Sequence, residues 1–248
     1  MIPLHLRIIR EKNRIYSVLL KVFSIFTPHA PKVYLFHDIL EDKLQVKTVF
    51  SISQPSFELF LLNQIEKGNK PLTFNQLSDV VLGNIKIKNG FYITFDDANE
   101  SVFTHAYPFL KKHNIPFIIF ITKELIGKPN FLNEKQIKIL AQDTLCTVGS
   151  HALHHKMFRY FSDEESLTEL TESKKYLEIL IGKEVKSFAF PYGRVIECSR
   201  KNIRAVKNTD YDFAFSAISG NLGQKQVSGK FFLPRINVSE NMGQRTSK

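Results

Sequence analysis

Cysteine is nearly absent from this chain: Cys146 and Cys198 are the only two in 248 residues, too few for a disulfide scaffold. Cys146 sits in the apolar run Thr144-Leu145-Cys146-Thr147-Val148 and reads as a small buried hydrophobe. No uninterrupted apolar stretch reaches the roughly 20 residues that a transmembrane helix requires. Beyond residue 32 there is no basic run interleaved with aromatics, and no helix-turn-helix or zinc-finger spacing. Nucleic acid is therefore not an expected partner, despite a net charge of +10. Internal repeats, low-complexity tracts and Pro/Gly linkers are also missing, so a single domain is expected. With 43% hydrophobic and 23% charged residues, a disordered chain is excluded as the main state.

Half of the net charge lies at the start. Residues 1–32 hold Arg7, Arg10, Lys12, Arg14, Lys21 and Lys32 against one acid, Glu11. They also hold an apolar run over 15–26 that Lys21 interrupts. That run is too short and too charged to span a bilayer. As an export signal it has the right charge order but no clean small-residue cleavage site. An amphipathic extension, packing on the domain or making peripheral contact with a membrane surface, fits it best. The expected location is the cytoplasm or the periphery of the inner membrane, with an atypical export signal as the alternative.

From residue 33 to 248 short apolar runs alternate with amphipathic ones. Runs at 33–37, 91–95, 117–121, 145–150, 187–191, 213–217 and 232–238 are rich in Val, Ile, Phe and Tyr, as strands are. Several are apolar at nearly every position, which suits strands covered on both faces. Helical patterns lie between them. Residues 56–67 place Phe57, Phe60, Leu61 and Ile65 on one face, and 99–112 do so with Val102, Phe103, Ala106, Phe109 and Leu110. Residues 163–181 open on a Ser162 cap with acids and close at Gly182. Seven strand signals alternating with helices predict a parallel sheet curled into an α/β barrel.

Polar residues cluster where those strands end: His37-Asp38, Asp96-Asp97, His151 through His155, and Pro191-Tyr192-Gly193. In an α/β barrel the C-terminal ends of parallel strands share one rim, where active sites are built. Taken alone, an Asp pair after a strand is as readily a helix cap, and a lone His is more often a core or surface residue. Histidines at i and i+4, His151 and His155, can face one metal if the segment turns helically, and His154 at i+3 could do the same. One carboxylate and two imidazoles with an open position make a catalytic zinc site, leaving a second carboxylate to act as base.

Thr94-Phe95-Asp96-Asp97, Ser150-His151-Ala152-Leu153-His154-His155 and Phe190-Pro191-Tyr192-Gly193 together resemble three motifs of the polysaccharide deacetylases. This is the NodB-homology family, carbohydrate esterase family 4. Order and strand-end placement match, over about residues 33–240. The resemblance implies a distorted (β/α)7 barrel and removal of an N-acetyl group from an N-acetylated glycan. It further implies one divalent metal ion, with zinc expected, held by Asp97, His151 and His155, with His154 a neighbour. Asp96 is then the general base, and the Tyr192 N–H helps stabilise the oxyanion.

Three departures stand out. Ala98 follows the Asp pair where the family has Gly, which is tolerable if the backbone there does not need φ > 0. Ala189 stands where the family has Arg two residues before Pro191. No histidine follows His155, so the late general acid is missing. Leu35-Phe36-His37-Asp38 resembles the opening of the biofilm poly-N-acetylglucosamine deacetylases, which implies that His37 supplies the acid from the first strand. Ring closure would set that strand beside Leu233-Pro234-Arg235-Ile236-Asn237. Arg235 would then supply the missing cation or serve a structural salt bridge, and Pro191, Arg235 and Asp38 are candidates for substrate contact. The alternative function is an impaired barrel that binds glycan or serves as a scaffold. A phosphoesterase would want more carboxylates than are found.

Overall fold

The computed structural model describes residues 26–46, 48–224 and 229–243, together with Ile15, Val18 and Val22. Its centre is an eight-stranded parallel sheet. Strand β1 (Lys32–Phe36) is followed by the short pair β2 (Asp38–Leu40) and β3 (Ser51–Ser53), helix α1 (Gln54–Glu66), β4 (Lys70–Pro71) and α2 (Phe74–Leu82). Then come β5 (Gly90–Phe95), a π-helical turn (Val102–Ala106) leading into α3 (Tyr107–Lys112), β6 (Phe117–Ile121), α4 (Glu134–Gln142) and β7 (Cys146–Ser150). The chain ends with α5 (Asp163–Ile181), β8 (Ser187–Ala189), α6 (Arg200–Lys207), β9 (Phe213–Phe215), β10 (Ile236–Asn237) and α7 (Glu240–Gly243).

All seven apolar runs carry strands, and the spatial order β10-β1-β5-β6-β7-β8-β9 curls them into a distorted (β/α) barrel. First and last strands are neighbours: Tyr34 pairs with Ile236 and Leu35 with Asn237. The seam between β9 and β10 is thinner, a single parallel bridge from Phe215 to Leu233. Pro234, which has no N–H to donate, helps limit β10 to two residues of the seven-residue run.

Strand parity divides the core. Even-numbered positions of β1 and odd-numbered positions of β5 and β6, such as Tyr34, Phe36, Phe91, Ile93, Phe95, Phe117 and Ile119, pack under the helices. Their alternates, Val33, Tyr92, Ile118 and Phe120, meet Phe213, Phe215 and Leu233 inside the barrel. Gly149 is required there: a Cβ would sit 2.4 Å from the Phe120 ring.

The helices depart from expectation at specific residues. In α1, Phe57, Phe60 and Leu61 are buried, but Ile65 faces solvent and Asn63 and Gln64 turn inward. The buried Tyr34 hydroxyl needs an acceptor and donates to Gln64 Oε1 at 2.9 Å. Helices α2, α4 and α6 fall outside the three helical patterns above, yet each opens on a reciprocal capping box: Thr73 with Gln76, Asn133 with Gln136, and Ser199 with Asn202. Such caps contribute about 1 kcal/mol each. Helix α5 begins and ends where its Ser162 and Gly182 signals place it.

The final helix locks the fold. Glu240 accepts from the Ser53 N–H (2.8 Å), Ser53 Oγ (3.1 Å) and Ser56 Oγ (2.7 Å), closing the start of α1 with a buried carboxylate. Glu240→Ala leaves these donors without that acceptor and is expected to cost about 1–3 kcal/mol in urea unfolding. A loss under about 0.5 kcal/mol would mean that water replaces the carboxylate.

Candidate active site

The same parity that fills the barrel interior aims polar groups into its mouth. One step past the inward residues 33 and 35 lies His37. Past 92 and 94 lies Asp96, and past 147 and 149 lies His151. These join Asp97, His155, Asp38, Tyr192 and Asn237 around a cleft of about 620 Å³. The backbone continues strand pairing to the rim, with Asp96 N–H donating to the Phe36 carbonyl (3.0 Å) and His151 N–H to that of Ile121 (2.9 Å).

Asp97, His151 and His155 each present one ligand atom, all within 4.8 Å of one another. Asp97 Oδ1 lies 3.1 Å from His155 Nε2 and 3.4 Å from His151 Nε2. It is nevertheless buried without an acceptable hydrogen bond among the described residues. A buried, orphaned carboxylate oxygen facing two imidazole nitrogens is the donor set of a divalent metal, so these residues fit the expected ion. His151 Nδ1 donates to the Ala189 carbonyl at 2.7 Å, which turns Nε2 toward Asp97. Burial works to raise Asp97, but the two imidazoles hold it far below the usual carboxylate range. Burial works to lower His155, and Asp97 nevertheless draws it above the ordinary imidazole value.

The i, i+4 spacing does not act through a helix. Residues 151–155 form an irregular bend, with Ala152 at φ 71°, and the two ring centroids still come within 5.3 Å. The N–H groups of Leu153 and His154 donate to Glu169 Oε2 at 3.0 and 2.9 Å, and that of His155 to Glu124 Oε1 at 2.7 Å. His154 turns away from Asp97, its Nδ1 2.6 Å from Glu169 Oε1.

Asp96 is tied to Arg235 by a fork, 2.7 Å from Nη1 to Oδ1 and 2.7 Å from Nη2 to Oδ2. Arg235 also donates to the Ser216 carbonyl (2.8 Å) and Thr94 Oγ1 (3.2 Å) and packs over the rings of Phe120 and Phe215. It is fully buried and does not line the cleft, so it is a counter-ion for Asp96 and not a substrate contact. Burial works to raise Asp96, and Arg235 with His151 keeps it below the ordinary carboxylate value, hence ionised. Pro191 is likewise buried and outside the cleft lining. Asp38 lines it, accepting from Ser101 Oγ at 2.6 Å.

His37 reaches the cleft on the same rim as His151 and His155, with an unpartnered buried Nδ1. Burial lowers its affinity for a proton, although Asp96 and Asp97 pull the other way. Tyr192 stands at φ 62°, its ring 4.7 Å from that of His155, and no acceptor takes its N–H among the described residues. Phe50, half exposed, packs edge-on to His37 at 5.1 Å. Phe50, Asn99, Arg194 and Asn237 all line the cleft without having been singled out in the sequence. For Asn237 a signal existed, since it follows Leu233 and Arg235 on the inward parity. The loop residue Phe50 offered none.

A sequence profile described as polysaccharide deacetylase matches residues 84–214, more than half of the chain, and the protein belongs to that family. Over 209 residues it is 27% identical to a Staphylococcus aureus (strain MRSA252) poly-beta-1,6-N-acetyl-D-glucosamine N-deacetylase, covering 77% of this chain and 69% of that one. YxkH of Bacillus subtilis (strain 168) is 29% identical over 150 residues, which is 60% of this chain and 52% of YxkH. The chain thus spans about half the length of YxkH. Among solved structures, IcaB from Ammonifex degensii superposes with a TM-score of 0.73 at 21% identity, over 87% of this chain and 94% of that one. Streptococcus pyogenes deacetylase PplD, solved with acetate, gives 0.74 at 21%, over 86% and 93%. These two likenesses establish the barrel.

Ala98 is where the backbone departs from expectation. Asp97 and Ala98 are both left-handed, at φ 69° and 64°, so the position does need the conformation that glycine adopts freely. Asp tolerates this region better than Ala, whose Cβ meets the following carbonyl at a cost of about 1–2 kcal/mol. After allowance for the extra unfolded-state entropy of glycine, Ala98→Gly is expected to stabilise the protein by roughly 0.5–1 kcal/mol. A lower urea midpoint for that variant would show that the methyl group's packing outweighs the strain.

Proposed function

We propose that the protein is a metal-dependent N-deacetylase that releases acetate from an N-acetylated sugar of a glycan. The observation that carries this is Asp97 Oδ1, buried and without a hydrogen bond between two imidazole nitrogens, beside a second carboxylate that Arg235 keeps ionised. The S. aureus relative's name supports an N-acetylglucosamine polymer as the substrate class.

Asp97, His151 and His155 would hold the ion. A divalent metal, zinc in this reading, supplies Lewis acidity that polarises the acetamide carbonyl and acidifies a water. Asp96 accepts a proton from the attacking water as its oxygen bonds to the carbonyl carbon. The free Tyr192 N–H donates to the oxygen that gains negative charge. His37 gives a proton to the leaving nitrogen as the C–N bond breaks, and acetate and a free amine remain.

Acetate release from N-acetylglucosamine oligomers, measured with zinc and after chelation, tests the activity and separates it from a scaffold role. Asp96→Asn, which removes the counter-charge of buried Arg235 and should lower the melting temperature, is expected in its folded form to keep the metal and lose about 10²- to 10⁴-fold in turnover. By metal analysis His155→Ala should lose zinc and His154→Ala retain it. Full turnover by Asp96→Asn, or zinc loss in the His154 variant alone, would reverse these roles. His37→Ala is expected to keep zinc, lose amide hydrolysis and retain more activity on an acetyl ester, whose leaving group needs less protonation. Equal losses on both substrates would remove His37 as the acid.

The N-terminal segment is read as a contact with anionic lipid, which would put the protein at a membrane periphery. Most of it lies outside the described residues, but Ile15, Val18, Val22 and Phe26 are helical, exposed and spaced along one stripe. No helix among the described residues is long and apolar enough to cross a membrane. Residues 27–31 are tied to the barrel, the Asn89 N–H donating to the His29 carbonyl (2.8 Å) and the Leu222 N–H to that of Pro31 (2.9 Å). Deleting residues 1–25 should therefore leave the fold intact and weaken binding to phosphatidylglycerol vesicles. Unchanged vesicle binding would assign the stripe to packing.

A further inference from the structure

Resting on the metal reading above, we propose that Glu169, paired with His154, is a positioning residue that sets metal affinity by shaping the bend carrying His155. Glu169 projects from the buried face of α5, between Ser166 and Ser173, and is only 5% exposed. Leaving an acid there costs desolvation unless it is fully bonded. Its two oxygens are occupied by one short segment: Oε2 takes the N–H groups of Leu153 and His154, and Oε1 faces His154 Nδ1 at 2.6 Å.

What this does follows from where the segment lies. His151 is held by strand pairing and by the Ala189 carbonyl, so its position belongs to the barrel. His155 has no such support, being four residues out on an irregular stretch with a left-handed Ala152. Without external acceptors, successive N–H groups at 153 and 154 would point into a buried space unsatisfied, and the bend would rearrange to reach water. On the other flank Ala152 and Leu153 carbonyls accept from the Lys123 and Glu124 N–H groups (3.1 and 2.9 Å), and Glu124 takes the His155 N–H. The bend is thus clamped on one side by the segment after β6 and on the other by α5. Each flank of the clamp uses a carboxylate, Glu124 for the His155 N–H and Glu169 for those of Leu153 and His154, and charge-assisted bonds are about twice as strong as neutral ones. His154, adjacent to a ligand but turned away from the metal residues, sets its Nδ1 against Glu169 Oε1 instead.

Outer groups that orient ligands typically change metal affinity by about 10- to 100-fold. The test measures the zinc dissociation constant by competition with a chromogenic chelator, alongside the melting temperature of metal-free protein and kcat at saturating zinc. Glu169→Ala is expected to weaken zinc about 10- to 100-fold while kcat at saturating zinc stays within a few-fold. Glu169→Gln keeps the shape and one acceptor, so it should recover most of the affinity while remaining several-fold weaker than wild type. His154→Ala, which retains both backbone bonds, should still bind stoichiometric zinc. Should Glu169→Ala not fold, Glu169→Gln carries the test. Wild-type zinc affinity in folded Glu169→Gln protein, or a fall in melting temperature with no change in affinity, overturns the inference. Failure of the unmodified protein to bind zinc would instead overturn the metal reading beneath it.

Discussion

A single buried ion pair organises this molecule. The Asp96–Arg235 fork joins the strand that carries both acidic residues of the site to the strand that closes the barrel. Each partner alone would be untenable in an interior lined by Phe120 and Phe215. The fork uses one donor from each terminal guanidinium nitrogen and one lone pair on each carboxylate oxygen, and Thr94 and the Ser216 carbonyl take further guanidinium donors. The pair also sets the chemistry available at the mouth. The carboxylate stays ionised because a fixed cation lies against it, as the base proposed above has to be. Lysine could not replace Arg235, since the fork needs two parallel donors in one plane.

Around that pair, strand periodicity does most of the positioning. An alternation of two places every second side chain inside the barrel, and the first residue past each strand inherits the direction. His37, Asp96 and His151 arrive at the cleft by this simple continuation. The other half of the site depends on bends. Asp97, Ala98, Ala152 and Tyr192 all adopt left-handed backbone conformations, each an expense that the packed surroundings must enforce. Strain is thus concentrated at the ends of three strands, in the segments that carry the metal residues and the free N–H.

Much of this was legible in the residues. Seven apolar runs announced seven strands because buried parallel strands are apolar at every position. The polar groups after them stood out for the same reason. Ser162 and Gly182 marked the limits of α5 because caps are local chemistry. What escaped was long-range or conformational. Nothing in Ala98 itself reveals a positive φ, since that is imposed by how Asp97 must turn. The spacing of His151 and His155 suggested a helical turn, whereas two carboxylates from distant elements hold an irregular one. Arg235 offered a charge near the site, but only the fold shows it facing Asp96 from within. Glu169 lies among Ser166, Leu170, Ser173 and Lys174 on the buried face of α5, and in a helix rich in acids nothing local marks it out.

Arg235 follows Asp96 by 139 positions in the chain, and this separation bears on how the protein is made. At roughly 5–20 residues added per second, Asp96 emerges from a ribosome about 7–30 s before its counter-ion exists. During that interval a closed barrel would trap a bare carboxylate among aromatic rings, so early closure is penalised by several kcal/mol. Closure before the last strand arrives is therefore disfavoured. The charge that faces Asp96 in the finished barrel thus also favours late closure during synthesis.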